Sequence, residues 1–324
     1  MKEAIWRMDA RISTRNPSLR RVGRYQNLRK TLAKDKYLYI IFFIPFLYFV
    51  IFKYLPIYGV IIAFKNFKVA KGIWGSPWVG LQYFGEFLSD PYGWKLIRNT
   101  ILLNVYSILF GFPAPIILAL LLNELRNAKY KRFVQTVSYL PHFISVVVVC
   151  GMVVNFLAYD GLVNRIVQLF GIEPFPWMMK PELFRTVYVA SGIWQNSGWG
   201  SIIYLAALSG IDPQLYEAAI IDGASRWKQM IHVTLPGIAP TVTIMFLLTL
   251  GRIMVVGFEK ILLLYTGATY ETADVLQTYV YRRGIEGADF SFAAAVGFFQ
   301  AIVGLLFVAS ANALSKRVSE TSLW

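Results

Sequence analysis

The sequence predicts an all-α protein that crosses a membrane several times. Of its 324 residues, 56% are hydrophobic and only 15% are charged, whereas a soluble domain carries about 25% charged residues. Several apolar stretches reach the roughly 18–20 residues that a helix needs to cross a hydrocarbon core. Basic residues cluster beside these stretches, as they do in polytopic helical membrane proteins.

Six candidate transmembrane helices follow one another along the chain. They cover about residues 37–58, 100–123, 133–158, 186–208, 237–258 and 292–314. An even number of spans places both termini on one side of the membrane. Eleven of the 32 Lys and Arg residues precede residue 37, and four more lie in the short connection 124–132. The positive-inside rule therefore predicts that both termini face the cytoplasm.

These spans define a simple domain organisation. Residues 1–36 are predicted to form a basic cytoplasmic segment, residues 37–314 the transmembrane domain, and residues 315–324 a cytoplasmic tail. Ten of the eighteen acidic residues fall in the predicted outer loops.

Several other classes of protein are disfavoured. The net charge of +14 is concentrated beside the spans, which favours topology and contact with anionic lipid over nucleic acid. The only cysteine is Cys150, and the two histidines, His142 and His232, are far apart without cysteine partners. A disulfide within the chain is impossible, and a zinc site is not expected.

The segment 210–236, between the fourth and fifth spans, is short, charged and rich in signals for helix ends. Asp212 and Pro213 suit the cap and first turn of a helix, and Gly223 suits the left-handed residue that ends one. Ser225 is placed to cap a second helix, which Pro236 is predicted to end. Two short helices hinged at Gly223 are therefore expected, although an ordinary connecting loop remains the alternative.

Three groups of residues in this segment carry a resemblance to a known family. Glu217-Ala218-Ala219, Asp222-Gly223-Ala224 and then Pro236 resemble the EAA loop of membrane subunits of binding-protein-dependent ABC importers. The outer GLQYF segment and the stretch WGSIIYLAALSGIDPQLYEAA look like the sugar-importer branch that includes the maltose system. This chain lacks the extra spans and the large inserted periplasmic domain of the maltose permease.

Two further stretches are similar to a narrower group of permeases. TADVLQTYVYRRGI and FSFAAAVGFFQAIVGLLF look like permeases for oligosaccharides derived from polysaccharides, such as alginate or pectin fragments. The resemblance implies the fold of a type I ABC importer permease and a place in the bacterial cytoplasmic membrane. It also implies a carbohydrate substrate, an oligosaccharide that is acidic if those relatives are a guide.

The resemblance also implies roles for the EAA residues. The helix from about Leu215 to Gly223 would seat in a groove of a separate ATPase subunit, with Glu217 as its polar anchor. Asp222 and Gly223 would shape the hinge, and the small residues would allow close approach: Ala218, Ala219 and Ala224. Pro236 completes the motif.

The implied partners are a second homologous permease, two ABC ATPase subunits and an extracytoplasmic solute-binding protein. The chain contains no G-x-x-x-x-G-K-[ST] phosphate loop. ATP and Mg²⁺ are therefore expected on the ATPase subunits, and no cofactor or catalytic activity is expected in this chain.

Polar residues within the spans are candidates for the substrate pathway. Arg252, on the predicted fifth span, would contact substrate or, alternatively, reach the outer surface or pair with Glu259. Gln195 and Asn196 interrupt the fourth span beside tryptophans, and Asn104, Asn155 and Gln300 are weaker candidates. Amide side chains suit sugar hydroxyls and helix–helix hydrogen bonds equally well.

Two other functions need features that the sequence lacks. An ion-coupled secondary transporter is the main alternative, but it needs inverted repeats and buried carboxylates near broken helices, and no Asp or Glu lies in the middle of a predicted span. A membrane-embedded enzyme needs a catalytic cluster, and neither HExxH nor GxSxG occurs.

Overall fold

The computed structural model describes residues 34–318, and in that range all regular secondary structure is helical. The described residues divide into two compact units, residues 34–61 and residues 62–318. Most of the predicted basic segment, residues 1–33, lies outside the described residues, as do residues 319–324 of the predicted tail.

The described part of the first unit is a helical run. Helix α1, Lys36–Phe49, continues through a π-helical turn, Val50–Tyr54, into Leu55–Ile57. Phe42 and Phe46, one turn apart, bring their rings to a centroid distance of 5.9 Å. The stretch Lys36–Phe64 is long and apolar enough to cross a membrane, which agrees with the first predicted span.

The second unit begins with a short helix that leads into a long one. Helix α2, Gln82–Ser89, is followed by α3, Pro91–Tyr106, and α4, Pro113–Glu124. A π-helical turn, Ser107–Gly111, joins α3 to α4, so that 34 residues run without a break from Pro91 to Glu124. Asp90 caps this run by accepting a hydrogen bond of 2.8 Å from the Tyr92 amide.

The third predicted span, over about residues 133–158 with Pro141 near its start, is divided into two helices by a sharp bend. The first half consists of helix α5, Ala128–Tyr139, and the 3₁₀ turn Leu140–Phe143. The second half is helix α6, Val146–Phe156. The angle between the two halves is 100°. Pro141 donates no backbone hydrogen bond. Ser145 starts the next helix by accepting a hydrogen bond from Val148.

The next two helices are α7, Leu162–Leu169, and α8, Pro181–Ser209. At 29 residues, α8 is roughly 43 Å long, enough to cross a membrane. It covers the predicted fourth span, but it is not among the helices that are apolar enough to be assigned as a membrane span. Its polar interruption, Gln195 to Ser197, accounts for the lower hydropathy.

The last part of the chain holds five helices of at least six residues. They are α9, Pro213–Ile221; α10, Leu235–Leu250; α11, Phe258–Leu264; α12, Leu276–Tyr281; and α13, Phe290–Val318. Helix α13 runs past residue 314, where the cytoplasmic tail was predicted to begin.

Among the described residues, four helical stretches are long and apolar enough to span a membrane, and the bent pair would make five. The four are Lys36–Phe64, Pro91–Glu124, Arg226–Leu250 and Phe290–Ala313. The all-helical class is confirmed, and α8 is the remaining candidate for a sixth span.

Three apolar clusters hold the second unit together. The first joins α2 and α3 to α12 and α13 around Phe87 and Phe292. A second joins α3, α6, α8 and α11 and contains Cys150, which is buried as a small apolar residue. The third joins α4, α8 and α10 around Tyr204. Helix α8 thus contributes to two clusters and packs near the centre of the unit.

Candidate functional site

The segment 210–236 folds largely as its local signals predict. The Asp212 carboxylate accepts a hydrogen bond of 2.9 Å from the Gln214 amide at the start of α9. Gly223 has a φ of +73°, the left-handed conformation that glycine adopts without strain. Ser225 caps the next turn, Arg226–Gln229, through the Lys228 amide.

The expectation that Pro236 ends the second short helix is wrong. The turn Arg226–Gln229 passes through a π-helical turn, Met230–Thr234, directly into α10, and Arg226–Leu250 counts as one helix of 25 residues. Pro236 is the eleventh residue of this continuous helix and follows the π turn directly, so the backbone donor that it lacks falls where the helical hydrogen bonding is already irregular. The wider π turn upstream makes room for the proline ring.

The outer face of this segment is apolar and open. Six large apolar side chains of the segment are exposed: Leu215, Ile220, Ile221, Trp227, Ile231 and Leu235. Ile221 is 85% exposed and Trp227 67%. Glu217 is exposed on the same helix and forms no ion pair with any described residue. A face of this kind is typical of a surface that another protein covers.

The inner face of the segment is tied to the helix that follows. The Tyr216 hydroxyl and the Thr234 hydroxyl are 3.0 Å apart. The side-chain amide of Gln229 donates a hydrogen bond of 2.8 Å to the Ala224 carbonyl. Backbone hydrogen bonds close the turn, from the Asp222 N–H to the Ala218 carbonyl and from the Ala224 N–H to the Ala219 carbonyl. Helix α9 is therefore fixed against the first turns of the 25-residue helix.

A cavity of about 720 Å³ lies among α3, α4, α8 and the end of α10. Apolar and small residues form most of its wall. Its polar lining comes from Asn104, Ser107, Tyr188, Asn196, Ser197, Tyr204, Thr249, Arg252 and Lys260. A cavity of this size, with a few convergent polar groups, has the properties of a small-molecule site.

Lys260 is a buried cation in the wall of this cavity. It belongs to α11, beyond the spanning helix that ends at Leu250, and is 8% exposed. Its Nζ donates a hydrogen bond of 2.9 Å to the Tyr188 carbonyl and lies 4.9 Å from the Tyr188 ring centroid. Burial lowers the pKa of Lys260 to about 8, so most of the amine is still protonated at neutral pH.

The cavity contains three of the six predicted pathway residues. Arg252, Asn196 and Asn104 all line it. Arg252 lies two residues past the end of α10, because the helix stops eight residues before the predicted end of the fifth span. Among the described residues it makes no ion pair, so the predicted pairing with Glu259 is absent.

The other three predicted pathway residues lie elsewhere. Gln195 donates to the Ile144 carbonyl at 3.2 Å, beside the bend in the third span. Asn155 is exposed near the end of α6. Gln300 lines a second cavity, of about 380 Å³, between Gly251 and Gly304. These three side chains do not line the larger cavity.

Sequence reasoning missed Lys260 and Tyr188 as cavity residues. The available signal was a lysine that directly precedes the apolar run Ile261–Leu264. A charge in such a place needs either solvent or a cavity. The sequence did not show that a residue of α8, more than 70 positions upstream, would supply its carbonyl partner.

The comparisons with known proteins define the class of protein to which this fold belongs. The family of the "binding-protein-dependent transport system inner membrane component" matches residues 93–320. The chain belongs to this family and is the permease subunit of an ABC importer. The prediction of an importer permease is confirmed, in preference to an ion-coupled secondary transporter.

Two relatives from Bacillus subtilis (strain 168) are each 42% identical over 294 residues. They are Protein LplB and the polygalacturonan/rhamnogalacturonan transport system permease protein YteP, and each match covers 90% of this chain and 92% of the relative. A chain of a bacterial ABC transporter involved in the import of the acidic polysaccharide alginate is 43% identical, with a TM-score of 0.83. That match covers 90% of this chain and 99% of the other.

Proposed function

We propose that this chain carries an acidic oligosaccharide across the bacterial cytoplasmic membrane as one permease of an ATP-driven importer. The observation that carries the proposal is the likeness, over 90% of the chain, to a permease of an alginate importer. The related transporter crystallised with a periplasmic protein that holds an alginate pentasaccharide. Polygalacturonan, in the name of the Bacillus relative, is also a polymer that carries carboxylates.

The proposed topology has six spans with both termini in the cytoplasm. Helix α8 would be the fourth span and the bent pair α5–α6 the third. This arrangement puts the basic connection 124–132 and the segment 210–236 on the cytoplasmic side, in keeping with the positive-inside rule. It puts α2, α7 and α12 outside, toward a solute-binding protein.

In this proposal, α9 is the coupling helix. Its exposed apolar residues Leu215, Ile220 and Ile221 would enter a groove of an ATPase subunit that binds ATP and Mg²⁺. Glu217, free of partners within the described chain, would anchor the contact. Two ATPase subunits and a second homologous permease would complete the membrane assembly, with lipid around its outer helices.

Purification of the tagged chain from its native membrane tests the assembly. We expect a Walker-motif ATPase, a second permease and, after crosslinking, a solute-binding protein to co-purify. The ATPase activity of the purified complex should rise when an oligouronate and its binding protein are added. Recovery of the chain alone, in mild detergent and after crosslinking, would contradict the proposal.

Substitutions in α9 test the coupling. Glu217→Ala or Gly223→Pro should lower uptake about tenfold while the ATPase subunits still hydrolyse ATP. Glu173→Ala, which also removes an exposed carboxylate but lies outside the segment, is the matched control and should transport normally. Unchanged uptake by both α9 variants at normal expression would rule out α9 as the coupling helix.

A further inference from the structure

We propose that Lys260 and Arg252 together form a carboxylate-binding subsite in the 720 Å³ cavity, which selects anionic over neutral oligosaccharides. This inference rests on the proposed function and assigns the acid selectivity to two named side chains. Both residues line the same cavity, although they belong to different elements.

The Lys260 ammonium is held in place by its neighbours, but its charge is not paired with a carboxylate among the described residues. Its ammonium carries three donors, of which one goes to the Tyr188 carbonyl at 2.9 Å. The Tyr188 ring lies beside the ammonium at 4.9 Å, an attraction that supports a cation without consuming its donors. A Cβ at position 192 would lie 3.3 Å from the Lys260 Nζ, so the glycine there leaves the ammonium open toward the cavity.

Among the described residues that line the cavity, none is an Asp or a Glu that could balance this charge. Neither Lys260 nor Arg252 takes part in an ion pair within residues 34–318. A buried ammonium without a counter-ion is costly, whereas Arg252, the second cation of the cavity wall, is exposed. A bound carboxylate would relieve the cost at Lys260, whereas a neutral sugar would not.

The rest of the lining suits the remainder of a sugar acid. Asn196 is held by the Gly192 carbonyl at 3.1 Å and by His142 Nδ1 at 3.1 Å, so its orientation is fixed. Tyr188 and Tyr204 also line the wall. Asn196 can meet carbohydrate hydroxyls, while the charge selectivity comes from the two cations.

The test compares one acidic substrate with its neutral counterpart. The complete importer is reconstituted in proteoliposomes with its solute-binding protein, and uptake of an oligouronate is measured beside uptake of the carboxyl-reduced oligosaccharide of equal length. Because the binding protein is the same for every variant, a change in the ratio of the two uptake rates reports on the permease.

We expect Lys260→Met to lower oligouronate uptake about tenfold or more, since a hydrogen bond to a charged group is lost, while neutral uptake changes less than twofold. Arg252→Gln should also lower the ratio of oligouronate uptake to neutral uptake, and Arg252→Lys should largely preserve that ratio. Lys180→Met removes an exposed lysine outside the cavity and should keep the wild-type ratio.

The outcomes separate this inference from the proposed function. Equal loss of both substrates in Lys260→Met, with an unchanged ratio in Arg252→Gln, would assign Lys260 a structural role and overturn the subsite. If Lys260→Met fails to assemble, the ratio in Arg252→Gln and Arg252→Lys decides. A wild-type importer that prefers the neutral oligosaccharide would instead refute the proposed substrate class itself.

Discussion

Arg282 and Asp274 face each other through two parallel hydrogen bonds, of 2.8 Å from Nη1 to Oδ1 and 2.6 Å from Nη2 to Oδ2. Asp274 is completely buried and also accepts hydrogen bonds from the hydroxyls of Thr278 and Tyr92. Since Tyr92 belongs to α3, this one carboxylate fixes the segment before α12 against α3.

Arg282→Ala should destabilise the protein strongly because it leaves a buried carboxylate without its cation. Loss of one partner of a buried pair costs about 3–5 kcal/mol, and we expect the lower end because the Arg282 side chain is 26% exposed. Thermal unfolding in detergent measures the effect. Arg226→Ala, which removes an exposed arginine 3.6 Å from Glu124, is the control and should cost less than about 1 kcal/mol.

Acidification should weaken the same contact. Burial opposes ionisation of Asp274, but the hydrogen bonds from Arg282, Thr278 and Tyr92 outweigh it and hold the pKa of that carboxyl below its usual value. The stabilisation is therefore complete above the unfolded-state pKa of about 3.9, and it is lost as the pH falls through the lower folded-state pKa.

Thermal unfolding measured between pH 6 and pH 3 tests this pH dependence. The loss of stability across that range should be smaller in Asp274→Asn than in the wild type, because the variant has no carboxylate to protonate. Glu173→Gln, at an exposed carboxylate, should follow the wild-type curve. Parallel curves for Asp274→Asn and the wild type would contradict the assignment.

Gly198→Ala should prevent α5 and α8 from packing as they do. A Cβ at position 198 would lie 1.9 Å from the Ser138 carbonyl oxygen, so the two backbones must separate. We expect a loss of about 3 kcal/mol or more, seen as a lower melting temperature and poor recovery after solubilisation. Gly151→Ala, in α6 with open space around its Cβ position, should be neutral or slightly stabilising.

Asn164→Leu should release the loop that follows α6. The Asn164 amide donates to the carbonyls of Ala158, Tyr159 and Phe175, and its oxygen accepts from the Phe175 amide and the Trp177 indole. Asn164 is 1% exposed. The variant therefore leaves several buried polar groups without a hydrogen-bond partner, and each such group costs about 1–3 kcal/mol of folding free energy.

Limited proteolysis of the loop 157–180 reports on this change. Cleavage should accelerate about tenfold or more in Asn164→Leu. Asn155→Leu is a matched substitution at an exposed asparagine and should be cleaved at the wild-type rate. Equal cleavage of the two variants would show that the Asn164 hydrogen bonds do not order the loop.

Local chemistry made the helices and the hinge predictable from the sequence. Asp212, Gly223 and Ser225 act on backbone groups within three residues of themselves, so neighbouring residues suffice to predict them. Pro236 failed as a helix end because the outcome depends on the π turn upstream, and a proline near the first turn is compatible with either a stop or a start.

The cavity was harder to predict because its wall comes from distant parts of the chain. Asn104 and Lys260 line the same space although more than 150 residues separate them, and only the packing of α3, α8 and α11 brings them together. Polarity alone selected Gln195 as strongly as Asn196, and Asn155 and Gln300 as strongly as Asn104. Which face of a helix meets the cavity is a property of tertiary packing.

The unbroken helix Arg226–Leu250 has a mechanical consequence. Its 25 residues form a rod roughly 37 Å long, with α9 tied to one end and Arg252 just beyond the other. A tilt of only about 5° about the α9 end would swing the far end by about 3 Å, a displacement comparable to a hydrogen-bond length. Pro236 and Pro240 lie within this helix without breaking it, so under the proposed coupling a tilt at the α9 end would be carried to the cation in the cavity wall.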